Sequence, residues 1–273
     1  NKILSLNYGQ EQMTSYISWD QKFRNQIAYV SRVGESAGKM YGFVYDGTYK
    51  EEDFNITVNE NGKKTYELKP GVPKFKDGCQ PGDPKYKNVD GSEDNLITDN
   101  DRTVIGNGHP LHTGGFTNNF VYKNWDLNIF LQWSYGNDIF NVNRLVMENP
   151  GAKKQLNQFA SYKNRWSESN PTSNIPRVRA VGADEYSSLY VEDGSFLKLK
   201  TISLGYNFDA KTLKRIGISA ARVFVSAENI ATITGYSGSD PEVSTRHSVL
   251  TPGFDWSAYP RAFNASLGVN VTF

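Results

Sequence analysis

From Phe263 to Phe273 the side chains alternate without a break. Phe263, Ala265, Leu267, Val269, Val271 and Phe273 are apolar, and Asn264, Ser266, Gly268, Asn270 and Thr272 between them are polar or small. A period of two belongs to a β-strand whose faces meet different surroundings. Trp125, Leu127, Ile129, Leu131, Trp133 and Tyr135 form a second such row, opposite Asp126, Asn128, Phe130, Gln132 and Ser134. This stretch of eleven residues is long for a soluble sandwich, but it matches the ~9–11 residues of a tilted membrane strand. Its aromatic ends are what such a strand places at the two bilayer interfaces. The pattern alone leaves open whether the apolar rows face lipid or a protein core.

The spacing predicts six further strands: Lys2–Asn7, Asn25–Arg32, Lys39–Tyr49, Thr113–Tyr122, Val191–Phe208 and Ala220–Ile230. Short connections (Glu35–Ala37, Lys123–Asn124, Asp209–Ser219) alternate with long ones (Gly9–Arg24, Lys50–His112, Gly136–Tyr190, Ala231–Arg261). A meander through a membrane has this asymmetry, with tight periplasmic turns and long extracellular loops. Loops this long are unusual in compact soluble domains. The expected class is therefore all-β: part of a transmembrane antiparallel β-barrel, about eight strands, with long extracellular loops. Asp138–Glu148 and Ala152–Trp166 are expected to be short helices capping the rim, since an amphipathic face mostly buries against its own protein.

Composition agrees. The chain has 16 Tyr, 15 Phe and 24 Gly against 1 Cys, a mixture typical of β-proteins. A net charge of +1, without a basic cluster, points away from nucleic acid. No apolar run approaches the ~18 residues of a membrane helix. Asn1–Leu6 shows no signal peptide, so the chain reads as a mature form or as a later part of a longer protein. The lone Cys79 allows neither a disulfide framework nor a cysteine zinc site and reads as an incidental loop thiol.

One loop has metal-ligand spacing. Counting from Asp90, oxygen donors fall at Ser92, Asp94, Leu96 (through its carbonyl), Thr98 and Asp101, the positions of an EF-hand-type loop. Hard oxygen donors suit Ca2+, and Ile97 takes the usual apolar position. The sixth residue is Asn95 rather than Gly and the twelfth is Asp rather than Glu. A structural calcium ion is one expectation here; a solvated acidic turn is the other. Catalytic motifs are missing. His109, His112 and His247 lack a third ligand at metal spacing, and there is no nucleophile elbow, zincin or phosphate loop. Gly114–Gly115 opens a strand, where close packing or a bend is expected.

Several stretches together resemble the SusC/RagA family of TonB-dependent outer-membrane transporters of Bacteroidetes. They are Val33–Tyr49, Pro81–Lys87, Ile97–Asn107, Thr113–Phe120, Tyr190–Lys200, Ser226–Asn229, Asp240–Glu242 and Tyr259–Arg261. Within the calcium-like loop, Asn88–Asn95 carries two residues more than the family pattern. The resemblance implies an outer-membrane, multi-pass, non-enzymatic importer: a 22-stranded barrel closed by an N-terminal plug. It implies a SusD-like lipoprotein partner, TonB as energy source and oligosaccharide or peptide as cargo. Residues 1–273 would be the C-terminal part of that one barrel domain, with the plug and any TonB-contacting segment lying elsewhere. Phe273 would be the terminal aromatic read during barrel assembly. Two other readings fit the residues alone: a complete eight-stranded outer-membrane barrel with a structural or adhesive role, and a secreted calcium-dependent glycan-binding module.

Overall fold

The computed structural model describes residues 2–16, 26–149, 157–245 and 248–273. The strands in chain order are β1 (Gln12–Tyr16), β2 (Ile27–Arg32), β3 (Lys39–Gly42), β4 (Tyr45–Thr48), β5 (Phe54–Val58), β6 (Lys64–Leu68), β7 (Pro84–Tyr86), β8 (Thr103–Asn107), β9 (His112–Tyr122), β10 (Trp125–Tyr135), β11 (Asp138–Asn141), β12 (Val191–Asp193), β13 (Phe196–Asn207), β14 (Ala220–Thr234), β15 (Phe254–Asp255) and β16 (Asn264–Thr272). Two short helices, α1 (Val142–Met147) and α2 (Ala210–Lys214), accompany them. The chain divides into two compact units. One comprises Asn1–His109, Ile139–Glu192 and Ser244–Ser257; the other comprises Pro110–Asp138, Asp193–Val243 and Ala258–Phe273.

The second unit is a single five-stranded antiparallel sheet in the order β16-β14-β13-β10-β9. Its strands run from 9 to 15 residues, enough to cross a bilayer at the usual tilt. Register explains its two faces. Phe120, Leu127, Leu204, Val225 and Leu267 form one cross-strand row, and Tyr122, Trp125, Tyr206, Val223 and Val269 form the next. These side chains stay largely uncovered: Leu267 is 78% and Val269 64% exposed. An apolar face five strands wide, open to solvent, is the mark of a lipid-facing surface rather than of a soluble module. Trp125 and Tyr206 pack edge to face at 4.9 Å at one end, and His112 stacks on Tyr135 at 5.1 Å at the other. The residues between, such as Asn119, Asn128, Ser203, Ser226 and Ser266, share the polar face.

Close packing accounts for the glycines within the strands. A Cβ at Gly114 would lie 2.2 Å from the Trp133 ring across the ladder, and one at Gly268 would lie 2.3 Å from Phe224. The turns Lys123–Asn124 and 208–219 join the strands at one end of the sheet, while the long connections leave from the other. Lys123 takes a left-handed backbone (φ 53°), as a two-residue hairpin turn requires. Among the described residues the helices are far too short to cross a membrane.

The first unit builds its own core from what the sequence presents as loops. Tyr29, Met40, Phe140, Val142, Leu145, Tyr186, Tyr190 and Phe254 form the main cluster. Phe43, Tyr86 and Ile97 form a second, and Tyr49, Phe54 and Cys79 a third. Four short strands (β1-β2-β3-β8), the hairpin β5-β6, the pair β4-β7 and the small β12-β11-β15 sheet give it shape.

The class expected from sequence holds, but the tally of eight membrane strands does not. The last five of the eight form the long sheet. Lys2–Asn7 is no strand; Ile3 makes only a pair of backbone bonds with Gly34 and Glu35. Asn25–Arg32 is described from Ile27 as the six-residue β2; residue 25 lies outside the described residues. Lys39–Tyr49 breaks into β3 and β4, because Phe43 exchanges backbone bonds with Tyr186 and Ser188 instead. Among the described residues β9 and β16 are the edges of this sheet, and it does not close into an eight-stranded barrel. Asp138–Glu148 is a strand followed by a helix, since Asn141 caps α1 by accepting from the Arg144 N–H. Of Ala152–Trp166, residues 152–156 lie outside the described residues, and Ala160–Asn164 is a 3-10 turn. Cys79 is buried in the third cluster, with its thiol donating to the Lys76 carbonyl at 2.9 Å, so it is a core residue and not an incidental thiol.

Candidate functional site

The polar face of the five-stranded sheet carries two charged constellations. The larger gathers Lys198, Lys200, Gln132, Asp240, Glu242 and Arg261. Lys198 points to the polar side because Leu197 and Leu199, its strand neighbours, pair with Trp133 and Leu131 on the apolar side. Its amine is buried and donates to Asp240 at 3.3 Å and to Glu242 at 2.5 Å. Lys200 Nζ lies 3.5 Å and Arg261 Nε 3.3 Å from the same Glu242 oxygen, while Gln132 donates to the other at 3.4 Å. The Glu242 and Arg261 N–H groups donate to the two oxygens of Asp240. Three cations thus surround two carboxylates. A buried charge is tolerable only when so paired.

A bulge aims these groups. Against β10 the register shifts so that Lys200 is the extra residue of β13, and against β14 it lies opposite two residues, Asn229 and Ile230. On β14, Asn229 takes a left-handed backbone (φ 53°) and donates to the Ala262 carbonyl at 2.9 Å. Bulges re-aim side chains in this way and sharpen the local twist. Burial by itself would push the Glu242 carboxyl up, but hydrogen bonding to Lys198 and the charges of Lys198, Arg261 and Lys200 hold it below the usual carboxylate range. Asp240 is lowered too: burial opposes this, and the backbone N–H groups of Glu242 and Arg261 outweigh it. An amine engaged with two carboxylates is no free nucleophile. The arrangement ties residues 240–242 and 261 to the sheet wall.

The second constellation lies near the tight turns. Arg222 meets Asp126 through two contacts, at 3.2 and 2.5 Å, and Asn207 donates to the same carboxylate at 2.9 Å. The Arg222 guanidinium passes over Gly205 and lies 5.1 Å from the Phe224 ring centre. Three adjacent strands are linked across their polar side.

The loop expected to bind calcium is folded by its own hydrogen bonds. Asp101 is fully buried. One of its oxygens accepts from Val89 (2.8 Å) and Asp90 (3.3 Å), and the other accepts from Thr98 (2.8 Å). Asp90 accepts from the Ser92 N–H, and one Asp94 oxygen accepts from the Ser92 hydroxyl and the Leu96 N–H. The Leu96 N–H and, after it, the Ser92 hydroxyl hold the Asp94 carboxyl below its usual range. Thr98 Oγ1 caps the 3-10 turn by accepting from Asn100. Asn95 has the left-handed backbone (φ 54°) that the sixth position of a calcium loop needs. Among the described residues, though, no three Asp, Glu, His or Cys side chains are grouped to hold a metal. Both Asp101 oxygens and one Asp94 oxygen are engaged by donors of the loop itself.

His109 Nε2 contacts the Val249 carbonyl at 2.7 Å, and His112 accepts from Trp133 Nε1 at 3.2 Å; His247 lies outside the described residues. Sequence reasoning noticed Asp240–Glu242 and Tyr259–Arg261 only as blocks of resemblance. The signal that could have joined them is Lys198-Leu199-Lys200: two cations on the face where the strand should be neutral.

No protein-family model matches the chain. It is 32% identical over 256 residues to the TonB-dependent receptor P3 of Formosa agariphila, covering 92% of this chain and 24% of that protein. It is 29% identical over 164 residues to the TonB-dependent receptor SusC of Bacteroides thetaiotaomicron, covering 58% of this chain and 15% of that protein. The solved structure of the RagAB peptide transporter superposes on the whole chain with a TM-score of 0.68, over 26% of its own length and at 22% identity. At that identity the likeness is one of fold. The chain spans about a quarter of the length of the curated relatives that it matches over most of its length.

Proposed function

This chain is a SusC/RagA-like stretch of a TonB-dependent receptor, and from that premise we propose that it supplies barrel wall and extracellular loops to an outer-membrane importer of oligomeric nutrients. The observation that carries the reading is the two-faced sheet, apolar and uncovered on one side, polar and laced with ion pairs on the other. Such a wall separates lipid from a water-filled lumen. The cargo is an oligosaccharide or a peptide, the partner is a SusD-like lipoprotein, and TonB supplies the energy. Gating belongs to a plug outside residues 1–273. The chain's part is to hold the wall and to present the loop unit to cargo and partner.

The test is deletion of the whole gene in the source organism, with uptake of fluorescent oligosaccharides and peptides measured beside a strain lacking TonB. Equal loss of one cargo class in both strains is expected. Unchanged uptake of every class would overturn the reading. Co-purification of a lipoprotein with the tagged full-length protein tests the partner.

For the Asp90–Asp101 loop the reading is a folding role without a cation. It is supported by the commitment of both Asp101 oxygens to backbone N–H groups. Equal melting temperatures in EDTA and in calcium chloride are expected. A calcium-dependent rise abolished by Asp94→Asn would restore the metal.

A further inference from the structure

We propose that the outer edge of β6 binds an extended peptide carrying an acidic side chain, added as a third strand to the β5-β6 hairpin. The inference rests on the peptide branch of the cargo reading above and gives that cargo a place in the loop unit. Among the described residues β5 and β6 pair only with each other. The phase of their ladder follows from its two ends, where the Lys69 N–H donates to Asp53 and the Asn59 N–H to Lys63. Bonded pairs recur at every second residue of an antiparallel ladder, so the backbone groups of Asn55 with Glu67, and of Thr57 with Thr65, face inward. Those of Lys64, Tyr66 and Leu68 point away from β5, and among the described residues no backbone partner meets them. A row of alternating donors and acceptors is what a strand-adding peptide needs.

A groove of about 300 Å³ runs along that edge. Tyr66, Glu67 and Leu68 all line it. Successive strand side chains point to opposite faces, so a groove that touches all three follows the edge and not one face. The other wall is the stretch 74–79, and it is fixed before any ligand arrives. The Lys74 N–H donates to Asn95 and its carbonyl accepts from Ile97, while the Lys76 carbonyl accepts from the buried Cys79 thiol. A Cβ on Gly78 would meet nothing within 4 Å, so the rim is open there.

Charge selects the occupant. Residues 62–79 carry five lysines against two carboxylates. Lys76 Nζ lies 2.9 Å from Glu185, and Lys74 Nζ lies 2.6 Å from Asp77. Asp77 is almost fully exposed, and an exposed ion pair is weak, so a carboxylate of the ligand can take its place at Lys74. The same lysines set two copies of this edge against each other, which leaves an acidic peptide as the occupant. Its backbone pairs with Tyr66, its carboxylate meets Lys74, and a neighbouring side chain rests over Leu68 and Cys79.

The test uses the full-length protein in detergent and a fluorescein-labelled peptide of alternating valine and threonine with one central glutamate, read by fluorescence anisotropy. Copies of the peptide N-methylated at one amide each report on backbone pairing. Methylation should weaken binding about tenfold at every second position and leave the positions between nearly unchanged. Lys74→Glu should weaken it about tenfold as well, Lys74→Arg should keep it, and Lys214→Glu, on α2, should leave it unchanged. If no binding is seen up to about 1 mM, if every methylated position costs the same, or if Lys74→Glu and Lys214→Glu behave alike, the proposal fails. Self-association abolished by Lys74→Glu would give the edge to a second copy and overturn it too. Binding with the alternating pattern but without uptake of the peptide by cells would keep the site and bring down the peptide-import reading instead.

Discussion

Lys198 and Glu242 are 44 residues apart in the chain, yet amine and carboxylate meet at 2.5 Å. This contact holds the connection after β14 against the polar side of β13. Removing one partner of a buried pair leaves an uncompensated charge, at about 3–5 kcal/mol. Asp240 remains as second partner, so Glu242→Ala should sit at the low end. Faster hydrogen exchange across residues 235–243, with the rest of the sheet unchanged, is the expected readout. Lys198→Met should be milder on that readout than Glu242→Ala, because the carboxylates keep Lys200, Arg261 and backbone donors.

The pH dependence has a definite sign. Asp240 and Glu242 are both held below their ordinary values. Their contribution is therefore complete above the unfolded carboxylate range of about 4 and is lost as pH falls through the lowered folded values. Exchange in residues 235–243, taken relative to the intrinsic rate at each pH, should be flat from neutral down to about pH 5 and rise at lower pH. A rise beginning near neutrality would contradict the assignment.

The glycines of the sheet should not be equivalent. Gly114→Ala drives a methyl into the indole of Trp133, and Gly205→Ala meets only the flexible end of Arg222. Overpacking against a rigid neighbour typically costs about 1–3 kcal/mol. Gly114→Ala should lower the fraction of folded, heat-modifiable protein on gels, and Gly205→Ala should leave it nearly unchanged.

Neighbouring residues of the last strand should respond oppositely to one substitution. Leu267 lies on the apolar face and Ser266 on the polar face, paired with Val225 and Ser226 respectively. Arginine on a lipid face costs about 2–4 kcal/mol near the bilayer midplane. Leu267→Arg should impair assembly into membranes, and Ser266→Arg should not. Equal behaviour would mean that the apolar face does not meet lipid.

Asp101→Ala leaves three backbone N–H groups without their acceptor. Each such loss costs on the order of 1–3 kcal/mol when buried. A clear drop in the melting temperature of the loop unit is expected, the same with and without calcium. Asp94→Ala removes contacts made in the open and should have little effect.

The long sheet was legible because its strands carry their own explanation. The alternation in 125–135 and 263–273 fixes two faces wherever the partners lie, and Lys123–Asn124 fits only a tight turn. Lys39–Tyr49 read as one strand because its periodicity is local, whereas the break at Phe43 comes from Tyr186 and Ser188, far along the chain. Cys79 looked like a loop thiol for the same reason: Tyr49 and Phe54 bury it, and spacing does not encode that. Asp101 was singled out as an oxygen donor at ligand spacing, but spacing cannot say whether its oxygens face an ion or backbone N–H groups, nor that the side chain is buried. The Lys198 constellation needed the bulge at Lys200, and a bulge has no dependable signature in a single sequence.

The loop unit is sewn from three stretches, and the last of them, 244–257, brings Phe254 into the core beside Phe140. A ribosome makes Phe140 more than a hundred residues before Phe254. The main hydrophobic cluster therefore cannot close until Phe254 has been added. Until then its Tyr and Phe side chains are surface that a chaperone can hold and a protease can cut. A chain stopped just short of residue 254 should be cleared, not tolerated.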